Sequence, residues 1–512
     1  MLPSLYGPLD VIGFGEPYAT PRGLAEAAGL AGLAASLSNR RFAGLSLCAL
    51  GMLFHPIMGL CFAAVIGVAM VLEDRRWLWA ALAGLVALSV AGMLRLPIAD
   101  RLVTVMDPAW RAVVEARAPI LFPSLWPLET WSRLVVQLCL VAAGAHVLRD
   151  GARRLAAAAL VAALLGVTIV AVLGDRLSLM LFLQVQTWRT LAPMAILASA
   201  CLALLAAELP KRGPAGWLAL ALLATAAMFR DVGDIGLLLA PVGLAFALLG
   251  ESVRFGRPAL ISAGAVGLLG LAALIHAALR GFGLAAALGS MPAAWPFSQG
   301  LVWSSGLPGA AIALAVGGWV ACGARAPRVE YRLAAVALIG LLAALLWDDR
   351  SPYVRARDEG RDASLIAMTA DRPGEALFLA GDIEPWALMG RASWSSRVQS
   401  AGVVFSRPLA LELWNRAARL RAAGLASEDW IRPLTLPARR PPAPNAEKVR
   451  SFCAAPDAPA WIVWPRWNGA ELDPALNARD WTPRAPYVED AAGPDGRWMV
   501  AARYAVIPCA GR

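Results

Sequence analysis

Apolar blocks about as long as a bilayer is thick are the feature that most limits this fold. Hydrophobic residues run together at roughly 21–38, 42–54, 57–73, 77–95, 131–148, 155–174, 189–208, 214–229, 233–250, 258–279, 303–323 and 331–347. A helix crosses the hydrocarbon core with about 20 consecutive apolar residues. Surface helices of water-soluble proteins instead carry apolar stripes at i, i+3 and i+4. Only 16% of the 512 residues are charged, against about 25% in an ordinary soluble chain. The blocks therefore predict an α-helical polytopic membrane protein. The second and third blocks are short and meet at His55-Pro56. They read as one kinked element or as two half-length helices, giving eleven or twelve spans. Residues 178–188 are apolar but too short to span, which suits a re-entrant or interfacial segment.

The net charge of +10 would suit a nucleic-acid binder, but its distribution does not. Basic residues sit in short clusters between apolar blocks, the pattern of helix ends held at a membrane surface. Of the 46 basic residues only Lys211 and Lys448 are lysines, a bias that composition of the genome explains as readily as function does. Arg40-Arg41, Arg75-Arg76, Arg149 with Arg153-Arg154, Lys211-Arg212, Arg254 with Arg257, and Arg325 with Arg328 and Arg332 alternate along the chain. In a twelve-span topology all fall on one side, which the positive-inside rule makes cytoplasmic. Residues 1–20, the connections 96–130, 175–188, 230–234 and 280–302, and everything after the last span then lie outside. No span and no signal peptide precede residues 1–20. Either that segment is translocated directly or upstream helices are missing.

After Trp347 the chain becomes rich in Arg, Asp, Glu and Pro. Short apolar runs at 375–380, 401–405, 460–464 and 498–506 predict strands, and 408–423 predicts an amphipathic helix. The division expected is an external segment 1–20, a multispan body 21–347 and an extracytoplasmic α/β domain 348–512. Cys48, Cys61, Cys139, Cys201 and Cys322 lie in apolar blocks as small core residues. Cys453 and Cys509 alone belong to the tail, where an oxidising compartment would let them pair. Three scattered histidines are too few for a histidine-based metal centre.

The external connections hold the polar candidates. Glu16 and Arg22 flank Thr20-Pro21, with Glu26 inside the first block. An acid there serves as a base and an arginine as a phosphate clamp. The structural alternative is that Thr-Pro starts a helix and Glu26 complements its dipole. His55 reads as a kink partner bonding freed backbone groups, or as a ligand. Asp107 and Trp110 stand in a loop of prolines and aromatics that covers a site or forms an interfacial belt. Gln184 and Gln186 with Arg189 offer two carboxamides and a guanidinium for sugar hydroxyls and phosphate, or anchor the chain together with Trp188. The acidic pairs Asp231 with Asp234 and Asp348 with Asp349 form salt bridges in tight turns or hold a divalent cation. No other cofactor is implied, no metal ligand is assigned, and the chain lacks a P-loop, a G-x-G-x-x-G and a G-x-S-x-G.

Several of these runs together resemble bacterial multispan proteins of the GT-C glycosyltransferase type. They are Glu16-Pro17-x-x-Thr20-Pro21-Arg22-x-x-Ala25-Glu26, Arg40-Arg41, the block ending in His55-Pro56, the Asp107-Pro-x-Trp110 loop, Gln184-x-Gln186-x-Trp188-Arg189, and Gly390-Arg391 followed by Gln399-x-Ala401-Gly402-x-x-Phe405-Ser406-Arg407. The resemblance implies transfer of a sugar from a polyprenyl-phosphate donor at the outer face of a bacterial cytoplasmic membrane, with that donor and membrane lipids as partners. Glu16 and Glu26 would be the acids. Arg22, His55, Asp107, Trp110, Gln184, Gln186 and Arg189 would bind substrate. The family's catalytic acid sits in a loop after a first span that has no counterpart ahead of Glu16, so the resemblance also implies an N-terminally incomplete member. A lipid-linked glycan flippase, which would show charges deep in several spans and an internal repeat, and a non-catalytic membrane scaffold are the alternatives.

Overall fold

A computed structural model of the chain describes residues 6–10, 13, 20–230, 233–250, 256–289, 337, 351–379, 381–427, 431, 443–490 and 498–509. These divide into two compact units, described separately. One comprises the described residues of 1–106 and 120–283. The other comprises 107–119, the end of the helix that reaches Gly289, and the described residues from 351 onward.

The first unit is built from helices whose limits follow the apolar blocks. They are α1 (Pro21–Leu37), α2 (Arg41–Phe54), α3 (Pro56–Glu73) and α4 (Arg76–Met93). After α5 (Pro108–Arg117), which belongs to the second unit, come α6 (Leu128–Val147), α7 (Asp150–Ile169), the short α8 (Met180–Val185), α9 (Leu191–Glu208), α10 (Pro214–Met228), α11 (Gly233–Leu249) and α12 (Arg257–Gly289). Prolines open α1, α3 and α10, where the missing N–H leaves no helical bond unmade. Among the described residues five helical stretches are long and apolar enough to cross a membrane: Pro56–Glu73, Arg76–Met93, Leu128–Val147, Asp150–Arg176 and Met180–Arg212. The last two run through the irregular segments that flank α8, so residues 178–188 form a short helix and turns, not a span of their own. The expected spans at 303–323 and 331–347 lie outside the described residues.

The His55-Pro56 junction is two helices, not one kinked element. His55 is extended and ends α2 while starting α3. Its Nδ1 accepts a hydrogen bond from the Met58 N–H at 3.2 Å, so the ring caps a helix N-terminus. Gly32 and Gly44 bring α1 and α2 into backbone contact. A Cβ on Gly32 would stand 2.8 Å from the Gly44 oxygen, and one on Gly44 would stand 2.7 Å from the Gly32 oxygen. Close approach through small residues is how apolar helices gain packing without a hydrophobic drive.

In the second unit, β1 (Ala376–Phe378), β2 (Trp461–Pro465), β3 (Arg479–Trp481) and β6 (Tyr504–Pro508) form one sheet in the order β1-β2-β6-β3. β4 (Tyr487–Asp490) and β5 (Trp498–Ala501) form a two-stranded ribbon. β1 and β2 are parallel; the other pairs are antiparallel. Alternate residues of one strand serve different cores. Ile462 and Trp464 pack with Leu377, Trp394, Leu420 and Phe452, while Trp461 and Val463 pack with Phe378, Trp481 and Tyr504. Side chains alternate across a strand, so a sheet covered on both faces reads as a continuous apolar run. The expected helix at 408–423 is Arg407–Ala422. Two strand expectations are corrected. Residues 401–405 fold as a 3-10 turn at Gln399–Gly402 and its exit. Residues 498–506 are split between β5 and β6, which belong to different sheets. Cys453 and Cys509 form a disulfide with Cα atoms 4.9 Å apart.

Candidate functional site

The polar residues singled out in the sequence separate into two groups, one in each unit. In the first unit Pro21 begins α1, so Arg22 and Glu26, four residues apart, share a face. Glu26 lies beyond the first turn and is buried, so its dipole with the helix does not explain it. The buried Tyr6 phenol donates to Glu26 Oε1 at 3.4 Å and also reaches the Met58 sulfur at 3.6 Å. Arg189 Nη1 approaches the same sulfur at 3.9 Å, and Arg189 Nε donates to Gln186 Oε1 at 2.8 Å. Arg189, Glu26 and Arg22 all lie close enough to act electrostatically on the Tyr6 phenol. One acid and two guanidiniums from two distant segments, α1 and the turn at Thr187–Thr190, therefore meet around a tyrosine and a methionine. His55 enters through its cap, since the N–H that it receives belongs to Met58.

Local backbone explains the Gln-x-Gln-x-Trp-Arg stretch. Gln186 takes a left-handed conformation (φ 53°) that ends α8 and begins the 3-10 helix Thr187–Thr190. This turn carries Arg189 into the cluster and seats Trp188, which is fully buried and edge-on to Trp126 with ring centroids 6.5 Å apart. Trp188 is thus a core residue, not an interfacial anchor. Gln184 faces elsewhere: its Oε1 accepts from Arg101 Nη1 at 2.6 Å. Nearby, the buried Asp175 accepts from the Ser124 N–H at 2.8 Å and ties a π-helical turn, Val170–Arg176, to the chain after Phe122. Glu16, Asp231, Asp348 and Asp349 lie outside the described residues. Among the described residues no group of three or more His, Cys, Asp or Glu side chains is arranged to hold a metal ion.

Asp107 and Trp110 belong to the second unit. Asp107 caps α5 by accepting from the Trp110 N–H at 3.2 Å, and Arg407 Nε donates to its Oδ2 at 2.6 Å. That hydrogen bond from Arg407 is the main reason that the Asp107 carboxyl is held below the usual carboxylate range. The Trp110 indole N–H donates to the Val403 carbonyl at 2.7 Å, and Arg117 donates to Ser400 Oγ and, at 2.9 Å, to the Arg397 carbonyl. Burial, with Arg397 beside it, brings the Arg117 guanidinium down to about 10. The tail run that begins at Gly390-Arg391 is spent on the same architecture. Arg391 donates to the carbonyls of Thr369, Arg372 and Gly374, and Gln399 bonds Ser396 N–H and the Ser393 carbonyl. The two loosely resembling runs, 107–110 in a connection and 399–407 in the tail, are therefore two halves of one packing contact.

Sequence reasoning missed Tyr6, Met58, Arg101 and Asp175. Tyr6 and Met58 are ordinary apolar neighbours in sequence, and only their long-range contacts mark them. Asp175 carried a signal, an acid at the end of an apolar block. Comparison with protein-family models, curated proteins and solved structures gives no match for this chain. What its own residues define is a mostly helical protein with several membrane-length apolar helices, a small mixed-sheet tail, and, within the helical unit, an acid–arginine cluster at Tyr6.

Proposed function

We propose that the chain is a multispan protein of the bacterial cytoplasmic membrane that transfers a sugar from a polyprenyl-phosphate donor at the outer face. The observation that carries this is the meeting of Glu26, Arg22 and Arg189 at the Tyr6 phenol. In such a transfer the Glu26 carboxylate takes the proton from an acceptor hydroxyl. The acceptor oxygen attacks the anomeric carbon, the bond from that carbon to the phosphate oxygen breaks, and the electron pair leaves with the lipid phosphate. Arg22 and Arg189 offset the charge gathering there. Gln186 holds the Arg189 guanidinium in place.

Three further features support a membrane location with the tail outside. Helix α4 leaves Trp79, Leu85, Val86 and Met93 open among the described residues, a cost in water but not in lipid. The Cys453–Cys509 bond suits an oxidising compartment. The connection holding Asp107 packs with the tail, as expected if both emerge on one side.

The test is donor-dependent transfer in membranes, comparing the chain with Glu26→Gln and Arg189→Gln. Removing a general base costs roughly 100-fold or more, so Glu26→Gln should lose at least that, with protein level in the membrane unchanged. Undiminished transfer by Glu26→Gln would remove Glu26 from the mechanism.

A further inference from the structure

On the arginine-rich ends of the helices, away from the Tyr6 cluster in sequence, lies a second polar site. The connections after α1 and before α7 meet the end of α3 around a shallow open groove. Ser36, Asn39, Arg41, Glu73, Gly151 and Arg154 line it. The two turns bounding it are tight: Asn39 (φ 63°) and Asp150 (φ 50°) both take the left-handed conformation that short polar side chains tolerate.

One carboxylate there serves two guanidiniums. Arg41 Nη2 pairs with Glu73 Oε1 and also donates to Asn39 Oδ1 at 3.0 Å, and Arg154 Nη1 stands 2.7 Å from Glu73 Oε2. Glu73 fixes both arginines in position yet cancels only one of their charges. Among the described residues Arg41 uses only Nη2 and Arg154 only Nη1 on protein acceptors. The remaining N–H donors of two preorganised guanidiniums line the groove, a geometry suited to phosphate oxygens. The surroundings add field of the same sign. Arg40, Arg75 and Arg149 in the flanking connections and Arg153 in the first turn of α7 are exposed, against the acids Asp74 and Asp150.

We propose that this groove binds the phosphodiester headgroup of an anionic membrane lipid. A basic pocket between helix ends on the cytoplasmic side is where such a headgroup lies within a Debye length of the protein. The proposal rests on the membrane placement above but needs none of the transfer chemistry.

The experiment is native mass spectrometry of the full chain in detergent, titrated with phosphatidylglycerol, with phosphatidylcholine, and with inorganic phosphate as competitor. Phosphatidylglycerol should be retained over phosphatidylcholine, and millimolar phosphate should not displace it. Arg41→Gln/Arg154→Gln should weaken retention by roughly fivefold for each arginine removed. Glu73→Gln should tighten it, because both guanidiniums then lack their internal counter-charge. Equal retention of the two lipids overturns the proposal, as does displacement by phosphate. So does weakening by Glu73→Gln in step with the arginine variant, which would make the three residues a structural network only. No sugar donor enters this assay, so an inactive protein that retains phosphatidylglycerol sinks the transferase reading alone.

Discussion

Breaking the Cys453–Cys509 bond should destabilise the tail unit by several kcal/mol while leaving the helices in place. The bond joins residues 56 apart. Closing a loop of that length in the unfolded chain removes conformational entropy equivalent to about 4 kcal/mol at 25 °C. Its two ends are the last residue of the helix Ala446–Cys453 and the residue after β6, so the cross-link ties that helix to the sheet face it already packs against. With a urea dependence of about 2 kcal/mol/M for a unit of this size, the midpoint should fall by about 2 M. The assay is pulse proteolysis of the full chain in detergent across a urea series, followed through a C-terminal tag, comparing the protein with Cys453→Ser/Cys509→Ser. Alkylation in denaturant should first label two more thiols after reduction than before. If those thiols appear but the midpoint moves by less than about 0.5 M, the loop-entropy argument is wrong for this unit. If they do not appear, the bond itself is absent.

Two smaller perturbations probe the same unit. Trp110→Phe removes the indole donor from the Val403 carbonyl and leaves a buried acceptor unmet, so it should cost roughly 1–3 kcal/mol in the same assay. Burial raises the Glu384 carboxyl above the usual carboxylate range although Arg357 stands 3.5 Å away. The protonated folded form is therefore favoured: its stability is fully present below the unfolded value, about 4.3, and is lost as pH rises through the raised folded value. Glu384→Gln cannot ionise and leaves Arg357 its 3.0 Å pair with Asp358, so it should flatten the urea midpoint against pH and raise it at neutral pH. A pH profile parallel to that of the unaltered protein would assign the titration elsewhere.

Much of the helical unit was legible because its signal is long. Ten blocks between residues 21 and 279 became helices, most with ends near the expected ones although the last runs on to Gly289, since prolines, glycines and basic residues interrupt apolar runs where helices must stop. The tail was legible where a run filled both faces of a strand, as at 375–380 and 460–464, and where an amphipathic stripe marked the helix at 408–423. Residues 401–405 are equally apolar, but the Val403 carbonyl goes to an indole from residue 110 and not to a neighbouring strand. No local pattern encodes a partner 293 residues away. The same holds for the acid–arginine cluster. Glu26 and Arg189 were visible because charge is expensive among apolar residues. Tyr6 and Met58, which bring them to one place, were not. Asp107 and Trp110 were conspicuous for their chemistry and turned out to be committed to packing.

That packing sets a clock on assembly. Asp107 and Arg407 are 300 residues apart, and Trp110 and Val403 are 293 apart. A ribosome adding about 5–20 residues each second needs roughly 15–60 s to supply the second half of each pair. Through that interval α5 is made but its partner does not yet exist, and the Trp110 side chain has no native place to go. The tail unit thus closes last and around a piece synthesised long before it. A slowed or interrupted chain would strand an amphipathic helix with the face of Trp110, Val113 and Val114 uncovered, the kind of exposed apolar surface from which aggregation starts.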